Sequence, residues 1–392
     1  MRHFGHVAPE VRQRLFHREP CAFTADSPPH LLASALGATL YSPATRPRLA
    51  DDILKQAGRG VTSMVVCLED SIDDSEVADA EENLVRHFAD LAERGVEPPL
   101  LFIRVRAAEQ IPDLTRRLGP SLRLLSGFVL PKFTEERGVP FLEAIAAAEA
   151  EAGGATGGRR LFVMPVLESP ELLHLESRGE TLAGIARTVD KYRDRVLALR
   201  LGVTDFCSAY GLRRPPDMTA YDVQIVASVI ADVVNMLGRA DGTGFTVTGP
   251  VWEYFRVQER MFKPQLRRSP FLEGRAEELR QALIEHDMDG LLREIELDRA
   301  NGLLGKTCIH PSHVLPVHAL SVVSHEEFSD AEDILRPDRG GGGVLRSSYT
   351  NKMNEVKPHR AWAERTLRRA EVFGVARADV GFVELLTAGL PG

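Results

Sequence analysis

Leu161-Phe162-Val163-Met164-Pro165-Val166-Leu167-Glu168-Ser169-Pro170 is seven apolar residues in a row, then a carboxylate, then a Ser-Pro pair suited to starting a helix. An uninterrupted apolar run of this length, rich in Val and Leu, fits a strand buried on both faces; a strand with one wet face would alternate. Similar runs occur at Ala38 to Tyr41, Ser63 to Leu68, Leu100 to Val105, Gly127 to Leu130, Val196 to Leu201, Phe245 to Thr248 and Thr307 to Ile309. Helical spacing fills intervals between them, for example Pro47 to Ala57, Ala78 to Glu93, Pro140 to Ala152, Leu172 to Tyr192 and Tyr221 to Leu237. Alternating buried strands and helices indicate a parallel sheet covered by helices. Eight such units predict an α/β (β/α)8 barrel, with an open doubly wound sheet as the competing arrangement.

The residues just beyond the strands favour the barrel. Arg46 comes after the first, Glu69-Asp70 after the second, Arg104 and Arg106 after the third, and Lys132 after the fourth. Glu168 comes after the fifth, Asp205 after the sixth and His310 after the eighth. Charged or titratable groups thus gather at the strands' C-terminal ends, where a barrel builds its active site. No GxGxxG stands after an early strand and no GxxxxGK[ST] occurs; Gly302-Leu303-Leu304-Gly305-Lys306-Thr307 imitates the end of the latter with the wrong glycine spacing.

The 392 residues carry 48 Lys+Arg and 56 Asp+Glu, a net charge of −8, and 44% are hydrophobic. That balance excludes a chain that binds nucleic acid by neutralising phosphates. It is also the composition of an ordinary globular protein. No apolar run is long enough for a membrane span, and the start lacks the apolar core of a signal peptide, so the expected location is the cytoplasm. Cys21, Cys67, Cys207 and Cys308 are far apart, without a CxxC, and read as buried free thiols.

Residues 1–36 form an N-terminal extension, 37–335 the catalytic barrel with a long insertion around 252–290, and 336–392 a Gly-rich hinge and helical tail. The polar run Tyr349 to His359 suggests that Asn354, Lys357 and His359 close the site in this chain or a neighbour; a solvated linker is an equal alternative.

Glu168 and Asp205, at the ends of adjacent barrel strands, suit a divalent cation that prefers oxygen ligands, such as Mg2+. Both also stand where a helix starts and could simply cap it. Arg104 and Arg106 alternate, so an extended strand would aim both at one face, toward an anionic substrate or toward Glu69-Asp70. Lys132 and His310 are weak signals singly.

Together these segments resemble the citrate lyase beta-subunit-like branch of the HpcH/HpaI aldolase family. The resemblance is carried by Tyr41-Ser42-Pro43-Ala44-Thr45-Arg46-Pro47, Val66-Cys67-Leu68-Glu69-Asp70-Ser71, Ile103-Arg104-Val105 and Leu130-Pro131-Lys132. It continues through Val166-Leu167-Glu168-Ser169-Pro170, Leu201-Gly202-Val203-Thr204-Asp205-Phe206, and Gly302 to Pro311. It implies a barrel that breaks or forms carbon–carbon bonds next to a carbonyl, assembled as a homotrimer or hexamer. It further implies Mg2+ or Mn2+ held by Glu168 and Asp205, and Arg104 on the substrate carboxylate or developing enolate. Glu69-Asp70, counted with Arg104 among the catalytic residues, would line the pocket and orient its basic residues, while Arg46, Arg106, Lys132 and His310 would contact a small carboxylate or its CoA thioester. Relatives often have Asn at the place of Arg106, which makes this pocket more cationic. A thioester hydrolase, a malate-synthase-like condensing enzyme and a non-catalytic metabolite-binding protein remain the alternatives.

Overall fold

A computed structural model describes residues 1–255, 288–336 and 343–390. Eight barrel strands span Ala38–Pro43, Ser63–Cys67, Leu100–Arg104, Leu125–Leu130, Phe162–Leu167, Leu199–Leu201, Val247–Thr248 and Lys306–Cys308, and we number them first to eighth. They form one parallel sheet in which each of the first seven pairs with its neighbour and the eighth pairs with the first. A parallel bridge between Gly249 and Lys306 joins the seventh to the eighth and closes the ring. The barrel reading therefore stands and the open sheet does not.

Apolar residues fill both sides of the strands. Val65, Phe102, Val129, Met164 and Val166 belong to the interior cluster, whereas Val66, Ile103, Phe128 and Val163 belong to the layer under the helices. Successive strand residues point to opposite faces, so continuous runs are needed to fill both layers. Helix Val77–Arg94 shows the complementary pattern: Ala80, Leu84, Phe88 and Leu91 form its buried stripe, and Gly95 at φ 63° ends it. Each Leu or Phe sealed in this layer contributes about 2 kcal/mol.

The two ends of the chain meet at the N-terminal end of the barrel. Phe16–Arg18 pairs antiparallel with Val375–Ala376, and Phe373 stacks on His3 at 4.3 Å between ring centroids. His3 Nε2 lies 3.1 Å from the Ala35 carbonyl, and Ala38 N–H donates to His318 Nε2 at 3.2 Å, just where the first strand begins. Helix Val356–Phe373 packs along His325–Leu335. The insertion assigned to 252–290 lies mostly outside the described residues, as do residues 337–342, which include most of the glycine run. All four cysteines are free, three of them buried. Among the described residues no helix is long and apolar enough to cross a membrane.

Candidate active site at the C-terminal mouth

Arg104, the last residue of the third strand, is the centre of the site. Its Nη2 donates to Asp70 Oδ2 and Glu168 Oε1, both at 3.0 Å, and forms an ion pair with Glu69 Oε2 at 2.6 Å. Those acceptors come from the ends of the second and fifth strands, so residues far apart in sequence converge on one guanidinium. Lys132 Nζ donates to the other oxygen of Glu69 at 2.9 Å. Lys132 also takes φ 49°, a left-handed conformation unusual for a side-chain-bearing residue, and its N–H donates to Glu168 Oε1 at 2.9 Å. Such local strain is commonly concentrated at functional sites.

The electrostatics of the cluster are unbalanced. Burial raises the Glu168 carboxyl, partly offset by Arg104 and reinforced by the charge of Asp205, to about 7. Burial likewise raises Asp205, and burial with the hydrogen bond to Glu69 lifts Asp70 to about 6. Glu69 behaves oppositely: burial pushes it up, but its bonds to Asp70 and Lys132 and the charge of Arg104 hold it below the usual range. The hydrogen bond to Glu69 raises Lys132. Four carboxylates, Glu69, Asp70, Glu168 and Asp205, face two cations, Arg104 and Lys132, so the formal sum is 2 − 4 = −2.

That deficit matches one divalent cation. Among the described residues no group of three or more His, Cys, Asp or Glu forms a ready-made metal cage. Two carboxylates completed by water and substrate oxygens are nevertheless the usual protein share of a Mg2+ site, and Glu168 and Asp205 fit it. Gly202, preceding the short helix Val203–Ser208 that carries Asp205, packs directly against Glu168.

Arg46, Arg106 and His310 are placed differently from Arg104. Arg46 pairs with Asp52, 2.8 Å away, and is half exposed. The third strand ends at Arg104, so alternation does not carry Arg106 onto the same face as expected. Arg106 instead donates to the carbonyls of Leu68 at 2.6 Å, Glu69 at 3.1 Å and Ile72 at 2.8 Å, and pairs with Asp74. It pins the loop that presents Glu69 and Asp70. His310 caps the short helix after the eighth strand, with Nδ1 2.7 Å from Ser312 Oγ, and lies flat against Phe255 at 4.6 Å. Asn354 donates to Asp330 in helix His325–Leu335 and His359 accepts from the N–H of Glu355, so neither contact is with the mouth.

A cleft of about 360 Å3 opens beside Glu69 and Lys132 and is bounded by Arg106, Arg137 and Phe141. Below the mouth, the barrel interior holds a second arginine that the sequence reading passed over. Arg200, midway along the sixth strand, is 1% exposed and lies 5.7 Å from the Tyr41 ring centroid. Its signal was a lone cation within the apolar run Val196 to Leu201.

The family model described as C-C_Bond_Lyase of the TIM-Barrel fold matches residues 30–375. A search of curated protein sequences returns no match. Among solved structures, the chain resembles CitE of Mycobacterium tuberculosis in complex with magnesium, acetoacetate and coenzyme A, at 20% identity, over 86% of this chain and 99% of that one, with a TM-score of 0.51. It resembles a citrate lyase of Burkholderia xenovorans LB400 at 17% identity, over 89% and 96% of the two chains, with a TM-score of 0.58. The Haloferax volcanii malate synthase magnesium/glyoxylate complex aligns at 16% identity, over 71% and 73%, with a TM-score of 0.50. The chain belongs to the family of carbon–carbon bond lyases built on the TIM barrel.

Proposed function

We propose that this protein is a Mg2+- or Mn2+-dependent lyase or aldolase that cleaves or forms a small 2-oxo or hydroxy carboxylate, as the free acid or its CoA thioester, through an enolate. The observation that carries this reading is the formal −2 deficit at the mouth, where Glu168 and Asp205 stand beside Arg104. A divalent cation held by those two carboxylates supplies Lewis acidity toward the oxygens of a bound oxo or hydroxy acid. Arg104, fixed by three carboxylates, stabilises negative charge developing on the enolate oxygen without having to reorganise. Glu69 and Lys132 hold Arg104 and Asp70 in place, and Asp70, partly exposed with its carboxyl raised to about 6, is the group suited to exchange a proton. Arg106 fixes the acidic loop and borders the cleft through which substrate would extend, while Arg46 and His310 follow the first and eighth strands.

The magnesium-bound CitE and malate synthase structures support the metal, and the coenzyme A in the CitE complex supports a thioester substrate. The family resemblance supports a homotrimer or hexamer. The malate synthase likeness favours a second reading, condensation of a thioester enolate with an oxo acid on the same site. Incubation with Mg2+ and a panel of hydroxy acids, oxo acids and their CoA thioesters, then mass spectrometry of the products, separates the readings. Two carbon fragments support the lyase, one joined product supports the condensing enzyme, and free CoA with an intact acyl chain supports a hydrolase. Binding without turnover across the panel would refute all three and leave a metabolite-binding protein.

A further inference from the structure

Four arginines meet at the N-terminal end of the barrel, opposite the mouth. Arg299 lies in the last turn of helix Met288–Ala300, and Arg365, Arg368 and Arg369 stand within helix Val356–Phe373. The turn after Arg299 joins the two helices: Arg365 Nη2 donates to the Gly302 carbonyl at 2.7 Å, and Arg299 Nη1 donates to that of Leu320 at 3.2 Å. Among the described residues only Arg369 of the four has a carboxylate partner, Glu327 at 2.8 Å, and its Nε is buried without a hydrogen-bond partner. Burial pushes Glu327 up, but the charges of Arg369 and Arg299 hold it below its usual range. Burial lowers Arg369, opposed by Glu327 and reinforced by Arg299 and Arg365, while burial and then Arg368 lower Arg365. Four cations against one carboxylate give 4 − 1 = +3, in a chain whose net charge is −8.

Helix stability does not ask for this arrangement. Like charges three and four residues apart, as in Arg365 with Arg368 and Arg369, destabilise a helix. None of these three lies in the last turn of its helix, where the macrodipole would favour a cation. The neighbouring acids are turned elsewhere: Glu364 pairs with Arg360 at 3.3 Å, and Glu371 lines a separate cavity with Arg18 and Cys21. Arg299, Arg365 and Arg368 are exposed, so an anion reaches them without any side chain moving aside.

We propose that this cluster binds a compact phosphate ligand carrying several negative charges, of the diphosphate class, at a site separate from the mouth. Planar guanidinium forks match phosphate oxygens, and an excess of +3 is more than a single carboxylate would neutralise.

Calorimetric titration of inorganic pyrophosphate, without Mg2+ and in about 0.15 M KCl so that distant charges are screened, tests the site. Wild type should bind pyrophosphate at least tenfold more tightly than malonate, a compact dicarboxylate. The double variant Arg365→Gln, Arg368→Gln should lose at least tenfold in pyrophosphate affinity, the scale of one charge-assisted contact. Without ligand it should melt no lower than wild type, because like-charge repulsion is removed, and pyrophosphate should raise the melting temperature of wild type alone. Arg137→Ala, in the cleft beside the mouth, should bind pyrophosphate as wild type does. No binding by wild type, equal binding of malonate, unchanged affinity in the double variant, or loss of binding in Arg137→Ala overturns the inference, and none of these outcomes bears on the lyase reading.

Discussion

Replacing Gly202 with Ala adds one methyl group next to a proposed metal ligand without asking anything unusual of the backbone. Gly202 has φ −94°, within reach of any residue, so conformational strain is not the issue. The added Cβ would stand 2.2 Å from Glu168 Cβ and 2.5 Å from its Oε2. Ordinary contact begins near 3.4 Å, so one partner must move by about 1.2 Å. Glu168 Cβ is set by its own strand and cannot rotate away, unlike the end of a long side chain. Overpacking of this kind costs about 1–3 kcal/mol of stability. Metal–oxygen geometry tolerates only about 0.2 Å, so the displacement should weaken Mg2+ binding by roughly 10- to 100-fold, as loss of supporting contacts around metal ligands does. Differential scanning calorimetry gives the first quantity and a Mg2+ titration the second. Wild-type Mg2+ affinity in Gly202→Ala would show that Glu168 does not hold the metal in the position described.

His3 and His318 are buried and neutral, burial lowering His3 to about 3 and His318 well below its ordinary value. Because their folded values lie below the unfolded one of 6.5, stability is complete above about pH 6.5 and is lost as the pH falls below it, down to the folded values. His3 accounts for about 2 kcal/mol of the stability lost in equilibrium unfolding between pH 8 and pH 5, and His3→Phe should reduce the pH dependence by about that amount, leaving the share of His318; an unchanged slope would contradict it. Arg106→Ala removes three bonds to the carbonyls of Leu68, Glu69 and Ile72 and should reduce turnover through the freed acidic loop. Mg2+ affinity at Glu168 and Asp205 should stay within about threefold, and equal loss of both in the same titration would place Arg106 in the metal site instead.

The barrel was legible because both strand faces are buried, and continuous apolar runs mark that condition without any knowledge of partners. The strand limits were less legible. The fourth strand starts at Leu125 rather than Gly127, whose φ of 159° and absent Cβ let the Phe162 backbone approach, while Val196 makes only an isolated bridge before the sixth strand. Position after a strand correctly brought Glu69, Asp70, Arg104, Lys132 and Glu168 to one cluster. It did not distinguish Arg106, because alternation holds only while the strand lasts and the chain bends after Arg104. Arg200 escaped because its meaning depends on what faces it across the barrel, which neighbouring sequence does not contain. The buried network of Lys306 with Glu294 and Asp298 escaped for the same reason: Lys306 stood out only within a false phosphate-loop pattern, whereas its ammonium lies 2.8 and 2.7 Å from those carboxylates.

Calorimetric titration of Mg2+ into wild type, Glu168→Ala and Asp205→Ala, each with and without oxaloacetate, pyruvate, glyoxylate or acetyl-CoA, tests the metal-centred mechanism most directly. Wild type should bind Mg2+, one of these ligands should tighten it, and each variant should lose at least tenfold in affinity. Identical binding by all three proteins, or no binding by any of them with every ligand present, would contradict that mechanism and leave Glu168 and Asp205 as structural carboxylates.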